Sequence, residues 1–150
     1  MSDQSEKTIQ PTPVVAQPEV QNKTSNVHKI LVVDDEPDAR DLFLDMLSAE
    51  GNYEVSTAVD GVDALAKAEA TKFDMILLDI VMPNKDGVQT LTELMQDKAK
   101  YGSPKVIMLT NLGGDLAVEE AMNIGAVDYK VKIDTEPDDL LQTVAKHLGA

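Results

Sequence analysis

A chain of 150 residues, 43% hydrophobic and 27% charged, has enough apolar mass for one domain with a real core and too little for two. It has no cysteine, which excludes disulfides, thiolate metal sites and cysteine nucleophiles. A formal net charge of −14, with Arg40 as the only arginine, argues against nucleic acid and anionic membranes as direct partners, since both need a clustered basic face.

Residues 1–27 carry Pro11, Pro13 and Pro18 among Gln, Ser, Thr and Val, with neither a helical nor a strand period. Such a segment cannot bury enough apolar surface to offset chain entropy, so a disordered tail is expected there, ahead of a folded domain over 28–150. Its start, Met1–Lys7, lacks the basic opening and apolar core of a secretory signal, and no stretch approaches the roughly 20 apolar residues of a membrane span. Cytoplasm is therefore the expected compartment.

From His28 onward, strand and helix patterns alternate. The strand candidate Lys29–Val33 contains the continuous apolar run Ile30–Val33, which leads into Asp34-Asp35 and reads as buried on both faces. A helical window follows, with Pro37 in its first turn and Ala39, Leu42, Phe43, Met46 and Leu47 forming the expected apolar face. Next come a strand at Tyr53–Ala58, a helix over Gly61–Ala70 and a second buried strand, Met75–Leu78, that runs straight into Asp79. Helix Val88–Lys98, strand Val106–Leu109, helix Asp115–Ile124, strand Val127–Val131 and helix Pro137–Leu148 complete the series. Five strand–helix repeats predict a doubly wound α/β fold around a five-stranded parallel sheet, with right-handed crossovers.

The chemistry lies at the strand ends. A carboxylate directly after a buried parallel strand emerges at the carboxyl edge of the sheet, where such folds bind ligands. If the strands ending at Asp34-Asp35 and Asp79 are neighbours, three carboxylates converge, and like charges that close need a cation to ionise together. All-oxygen ligation favours a hard ion, with Mg²⁺ the first candidate, and a metal beside a carboxylate suits phosphoryl transfer. Plainer roles exist for each residue. Asp34 or Asp35 could cap the first helix, Asp79 could be a solvated loop acid, and Thr110 could serve a turn. Lys130 and Lys132 could be edge-strand lysines that discourage aggregation. His28 and His147 have no ligand or nucleophile pattern around them and do not look catalytic.

The ordered set Asp34-Asp35, Asp79, Met82-Pro83, Thr110, Gly125-Ala126, Tyr129 and Lys132 resembles the receiver domain of two-component response regulators over residues 28–150. The resemblance implies a flavodoxin-like fold with strand order 2-1-3-4-5. It implies a phosphoacceptor role for Asp79, with a histidine kinase or histidine phosphotransfer protein as donor. Asp34, Asp35, Asp79 and the Val81 backbone carbonyl would hold Mg²⁺. Thr110 and Lys132 would contact the phosphoryl group, and Tyr129 would follow the movement of Thr110 as a switch.

The chain departs from the family pattern in places. Ile133 stands where a proline usually follows the lysine, which puts the reach of Lys132 in question and leaves Lys130 as a fallback cation. Asn111 is bulkier than usual and could narrow access for small phosphodonors. Val81 and Leu112 replace polar side chains that orient water, which implies slow loss of phosphate. The expected function is that of a single-domain response regulator, not an enzyme with separate turnover, signalling to another protein, because little chain follows the last helix. The alternative is a pseudo-receiver that binds a protein without phosphorylation. A metal-dependent phosphatase lacks a visible second acid–base residue, and flavin binding lacks a phosphate loop after the first strand.

Overall fold

Apolar residues with no polar alternation can form a strand only where both faces are covered, and His28–Val33, Met75–Asp79 and Lys105–Thr110 are three such strands. The computed structural model describes residues 27–111, 116–132 and 136–149. In chain order the elements are β1 (His28–Val33), α1 (Pro37–Ser48), β2 (Tyr53–Ala58), α2 (Gly61–Ala70), β3 (Met75–Asp79) and α3 (Gly87–Gln96). They continue with one helical turn at Lys98–Tyr101, then β4 (Lys105–Thr110), α4 (Leu116–Ile124), β5 (Asp128–Val131) and α5 (Pro137–Leu148). The five strands form one parallel sheet in the order β2-β1-β3-β4-β5. This is the expected flavodoxin-like arrangement, and it places the reversal of strand order between β1 and β3.

Side chains along each strand alternate between two cores. Leu31, Val33, Ile76, Leu78 and Met108 face one cluster, filled by Leu65 of α2, Leu91 and Leu94 of α3, and Val118 of α4. Ile30, Val32, Met75, Leu77, Ile107 and Leu109 face the other, filled by Phe43 and Leu47 of α1 and by Leu140 and Val144 of α5. The period of two thus sorts a uniformly apolar run into two layers.

Two expectations need correction. Leu42 does not belong to the buried face of α1: it is 57% exposed, while Phe43 and Leu47 are buried, with Ala39 and Met46 packed beside them. The 3.6-residue period centres the face on 39, 43 and 47 and leaves Leu42 beside a surface cavity lined by Glu36, Pro37, Asp38 and Ala39. The third helix stops at Gln96, short of Lys98, because Asp97 leaves the helical conformation and its carboxylate accepts the Lys100 N–H at 3.1 Å. A new turn begins there. Residues 1–26 of the expected tail, Leu112, the Gly113-Gly114 connection and Ile133-Asp134-Thr135 lie outside the described residues.

Candidate functional site

Register alone brings the first two carboxylates level. Val33 of β1 pairs with Leu78 of β3, so the residues that follow them, Asp34 and Asp79, sit side by side at the carboxyl edge. Both are buried, at 0% and 3% exposure, whereas Asp35 points out to solvent. Oxygens of Asp34, Asp35 and Asp79 all lie within 4.8 Å of one another.

Neither Asp34 nor Asp35 caps α1. The N-cap is Glu36, with no side-chain capping bond, and Pro37 opens the helix without needing an N–H partner. Instead Asp34 Oδ1 accepts the Glu36 N–H at 2.9 Å, and the Asp34 carbonyl accepts Arg40 Nη1 at 2.7 Å. The chain's single arginine thus fixes the backbone of a cluster carboxylate, a role its isolated position in the sequence does not reveal.

Lys132, just past β5, supplies the counter-charge. Its Nζ donates to Asp34 Oδ2 at 2.7 Å and to Asp79 Oδ2 at 3.4 Å, and lies 3.7 Å from Glu36 Oε1. Its reach to the carboxylates is therefore present with Ile133 as the next residue. Burial works against the Lys132 ammonium, but hydrogen bonding to Asp34 and attraction to Asp79 and Asp34 outweigh it and hold its pKa above the usual lysine value. Burial, and then the charge of Asp34, push the Asp79 carboxyl up to about 6, against the pull of Lys132 and of the Val81 N–H.

Thr110 ends β4 beside Asp79's strand and is buried; it pairs in register with Val131, one residue before Lys132. Tyr129 pairs with Met108, two residues lower on the sheet, and is 38% exposed. The side chain of Val81 is exposed, as is that of Asn111. The two histidines lie at the opposite, amino edge of the sheet. His28 opens β1 next to Asp74, and His147 Nε2 is 3.0 Å from Asp128 Oδ2 at the start of β5.

Gly87, which no chemical motif flagged, is a condition of the geometry. A Cβ there would lie 2.3 Å from the Asp79 carbonyl oxygen and 2.8 Å from Ile80 Cα. Its N–H donates to the Ile80 carbonyl at 2.8 Å. The first turn of α3 therefore rests directly on the backbone of Asp79, a contact open only to a residue without a side chain. The available signal was the sequence Asp86-Gly87, in which the aspartate caps α3 and pairs reciprocally with Gln89.

Residues 30–145 match the response regulator receiver domain family. The chain belongs to that family. Chemotaxis protein CheY of Bacillus subtilis is 33% identical to this receiver domain over 122 residues, covering 81% of this chain and 98% of CheY. A protein-glutamate methylesterase/protein-glutamine glutaminase of Vibrio cholerae is 40% identical over 106 residues, 69% of this chain but 28% of the larger protein. The chain spans less than half the length of several such curated relatives. Among solved structures, the receiver domain of a sensor histidine kinase from Pseudomonas aeruginosa superposes with a TM-score of 0.73 at 27% identity. The match covers 83% of this chain and 99% of that one, which holds a magnesium ion in its active-site cleft.

The donor set here fits such an ion. Three carboxylates offset by one ammonium leave about two negative charges, and oxygen donors suit a hard divalent cation. Among the described residues no helix is long and apolar enough to cross a membrane.

Proposed function

We propose that this receiver domain accepts a phosphoryl group on Asp79 from a phosphohistidine on a histidine kinase or a histidine phosphotransfer protein. The observation that carries the reading is the placement of Asp79: buried at the end of β3, level with Asp34, within 4.8 Å of two further carboxylates and 3.4 Å from the Lys132 ammonium.

Asp79 is the nucleophile. One of its oxygens forms the bond to phosphorus as the bond from phosphorus to the donor's imidazole nitrogen breaks, and the imidazole leaves to take up a proton. Asp34, Asp35, Asp79 and the Val81 carbonyl would hold Mg²⁺, which would supply charge withdrawal from the phosphoryl oxygens. Lys132 begins paired with Asp34 and Asp79, and its ammonium turns to the incoming phosphoryl oxygens, whose charge replaces the one buried on Asp79. Thr110, at the end of the neighbouring strand, donates its hydroxyl to the same group. Tyr129, at the partly exposed rim of β5, transmits that movement to the surface. The domain toggles between two conformations that differ in their contacts with the phosphoryl group, and phosphorylation shifts the balance between them. Output passes to a protein partner, in the cytoplasm.

The test is incubation with Mg²⁺ and acetyl phosphate followed by intact mass measurement, with Asp79→Asn and metal-free samples as controls. One added phosphoryl group is expected, dependent on Mg²⁺ and absent from the variant. If a phosphohistidine-bearing donor also leaves no adduct, the reading fails and the unphosphorylated binding module replaces it.

A further inference from the structure

The loop between β3 and α3 carries Val81, whose N–H already faces the Asp79 carboxylate. Its two ends are fixed, one by Asp79 itself and the other by Gly87 bonded back to Ile80. Its apex is Asn84, the only non-glycine residue with positive φ among those described, at +68°. Asparagine tolerates that left-handed conformation better than most residues, yet does not adopt it without a reason.

The reason on view is a bond across the mouth of the sheet. Asn84 Nδ2 donates to Asp60 Oδ2 at 2.7 Å, joining two loops 24 residues apart in sequence. Asp60 is the N-cap of α2, and its other oxygen, Oδ1, accepts the Asp63 N–H at 2.8 Å. Asp63 in turn accepts the Val59 N–H at 3.0 Å. One carboxylate thus clamps α2 with one oxygen and the β3–α3 loop with the other. The elements also touch beneath this bond. A Cβ on Gly61 would lie 2.6 Å from the Lys85 carbonyl and 2.1 Å from Thr90 Oγ1, so glycine lets α2 abut the loop.

We propose that Asp60 and Asn84 form a latch that positions the β3–α3 loop, and with it the Val81 carbonyl, for Mg²⁺ binding. Neither residue touches the cluster; both act through the loop as positioning residues. The inference rests on the functional reading above. Groups outside a metal's immediate ligands hold those ligands in place, and losing one commonly weakens metal affinity by roughly tenfold or more.

Three variants of the full chain test it by titration with MgCl₂ alone, followed by amide NMR. Asn84→Gly removes the bond while keeping the backbone conformation free of strain. Asp60→Ser keeps a capping oxygen for α2 but is too short to reach Asn84. The exchange Asp60→Asn with Asn84→Asp restores a donor–acceptor pair in the opposite sense, with net charge unchanged. The expected result is a Kd for Mg²⁺ weaker by roughly tenfold in each single variant and returned to within about twofold of wild type in the exchange. Unchanged affinity in Asn84→Gly overturns the latch, and so does weakened affinity that the exchange does not restore. Wild-type protein that takes up no Mg²⁺ overturns the functional reading and the latch with it.

Discussion

Asp79 shows how one residue can be held in a state it does not favour. Its carboxyl would titrate near 3.8 in an open chain, but in the folded protein burial and Asp34 raise it to about 6. Between those two values the folded state binds more protons than the unfolded state, so stability falls as pH rises through that window. In metal-free protein Asp79→Asn should flatten this slope and raise stability above pH 6 by about 2 kcal/mol. Urea melts at pH 4.5 and 7.5 would test this, and an equal effect at both values would refute it. Lys132 does not blur the window, because its raised pKa makes its contribution full throughout that range and lost only at alkaline pH. At this scale the sequence was partly legible. A carboxylate that ends an apolar run must emerge at a sheet edge, so Asp34 and Asp79 could be picked out. The bond between Asn84 and Asp60 could not, because nothing in either local pattern specifies a partner 24 residues away.

Elements were legible where their period was strong and blurred where a side chain intervened. Gly61–Ala70 and Pro137–Leu148 follow the apolar spacing from end to end. The third helix ends early because Asp97 captures the Lys100 N–H, a local competition that hydrophobic spacing does not register. The contact between α3 and β3 is tighter than sequence could suggest, since it depends on the missing side chain at 87. Gly87→Ala should cost about 1–3 kcal/mol by overpacking against the Asp79 backbone. It should also weaken Mg²⁺ uptake, because the strain falls on the residue that supplies a carboxylate. Chemical denaturation and Mg²⁺ titration of the same sample check both effects; a variant as stable as wild type would show that α3 can shift at no cost.

For the whole molecule, the sheet separates two apolar clusters, one on each face, among the described residues. Leu94 fills one and Leu140 the other, both fully buried. Truncating either to alanine should cost about 2–5 kcal/mol. Because the two lie in separate clusters on opposite faces of the sheet, the losses should add, leaving little of the roughly 5–15 kcal/mol typical of a domain. Strongly non-additive urea midpoints would show that the layers communicate. Strand order was legible only through the family resemblance, because alternation alone does not say which strands are neighbours. The observed order has a consequence for biosynthesis. Lys132 lies 98 residues beyond Asp34, just past the fifth strand of the sheet. A nascent chain with β5 still inside the ribosome would already carry its three acids but not the cation that tempers them. The acidic cluster thus stays without its counter-charge until the fifth strand has been made and has docked beside the fourth.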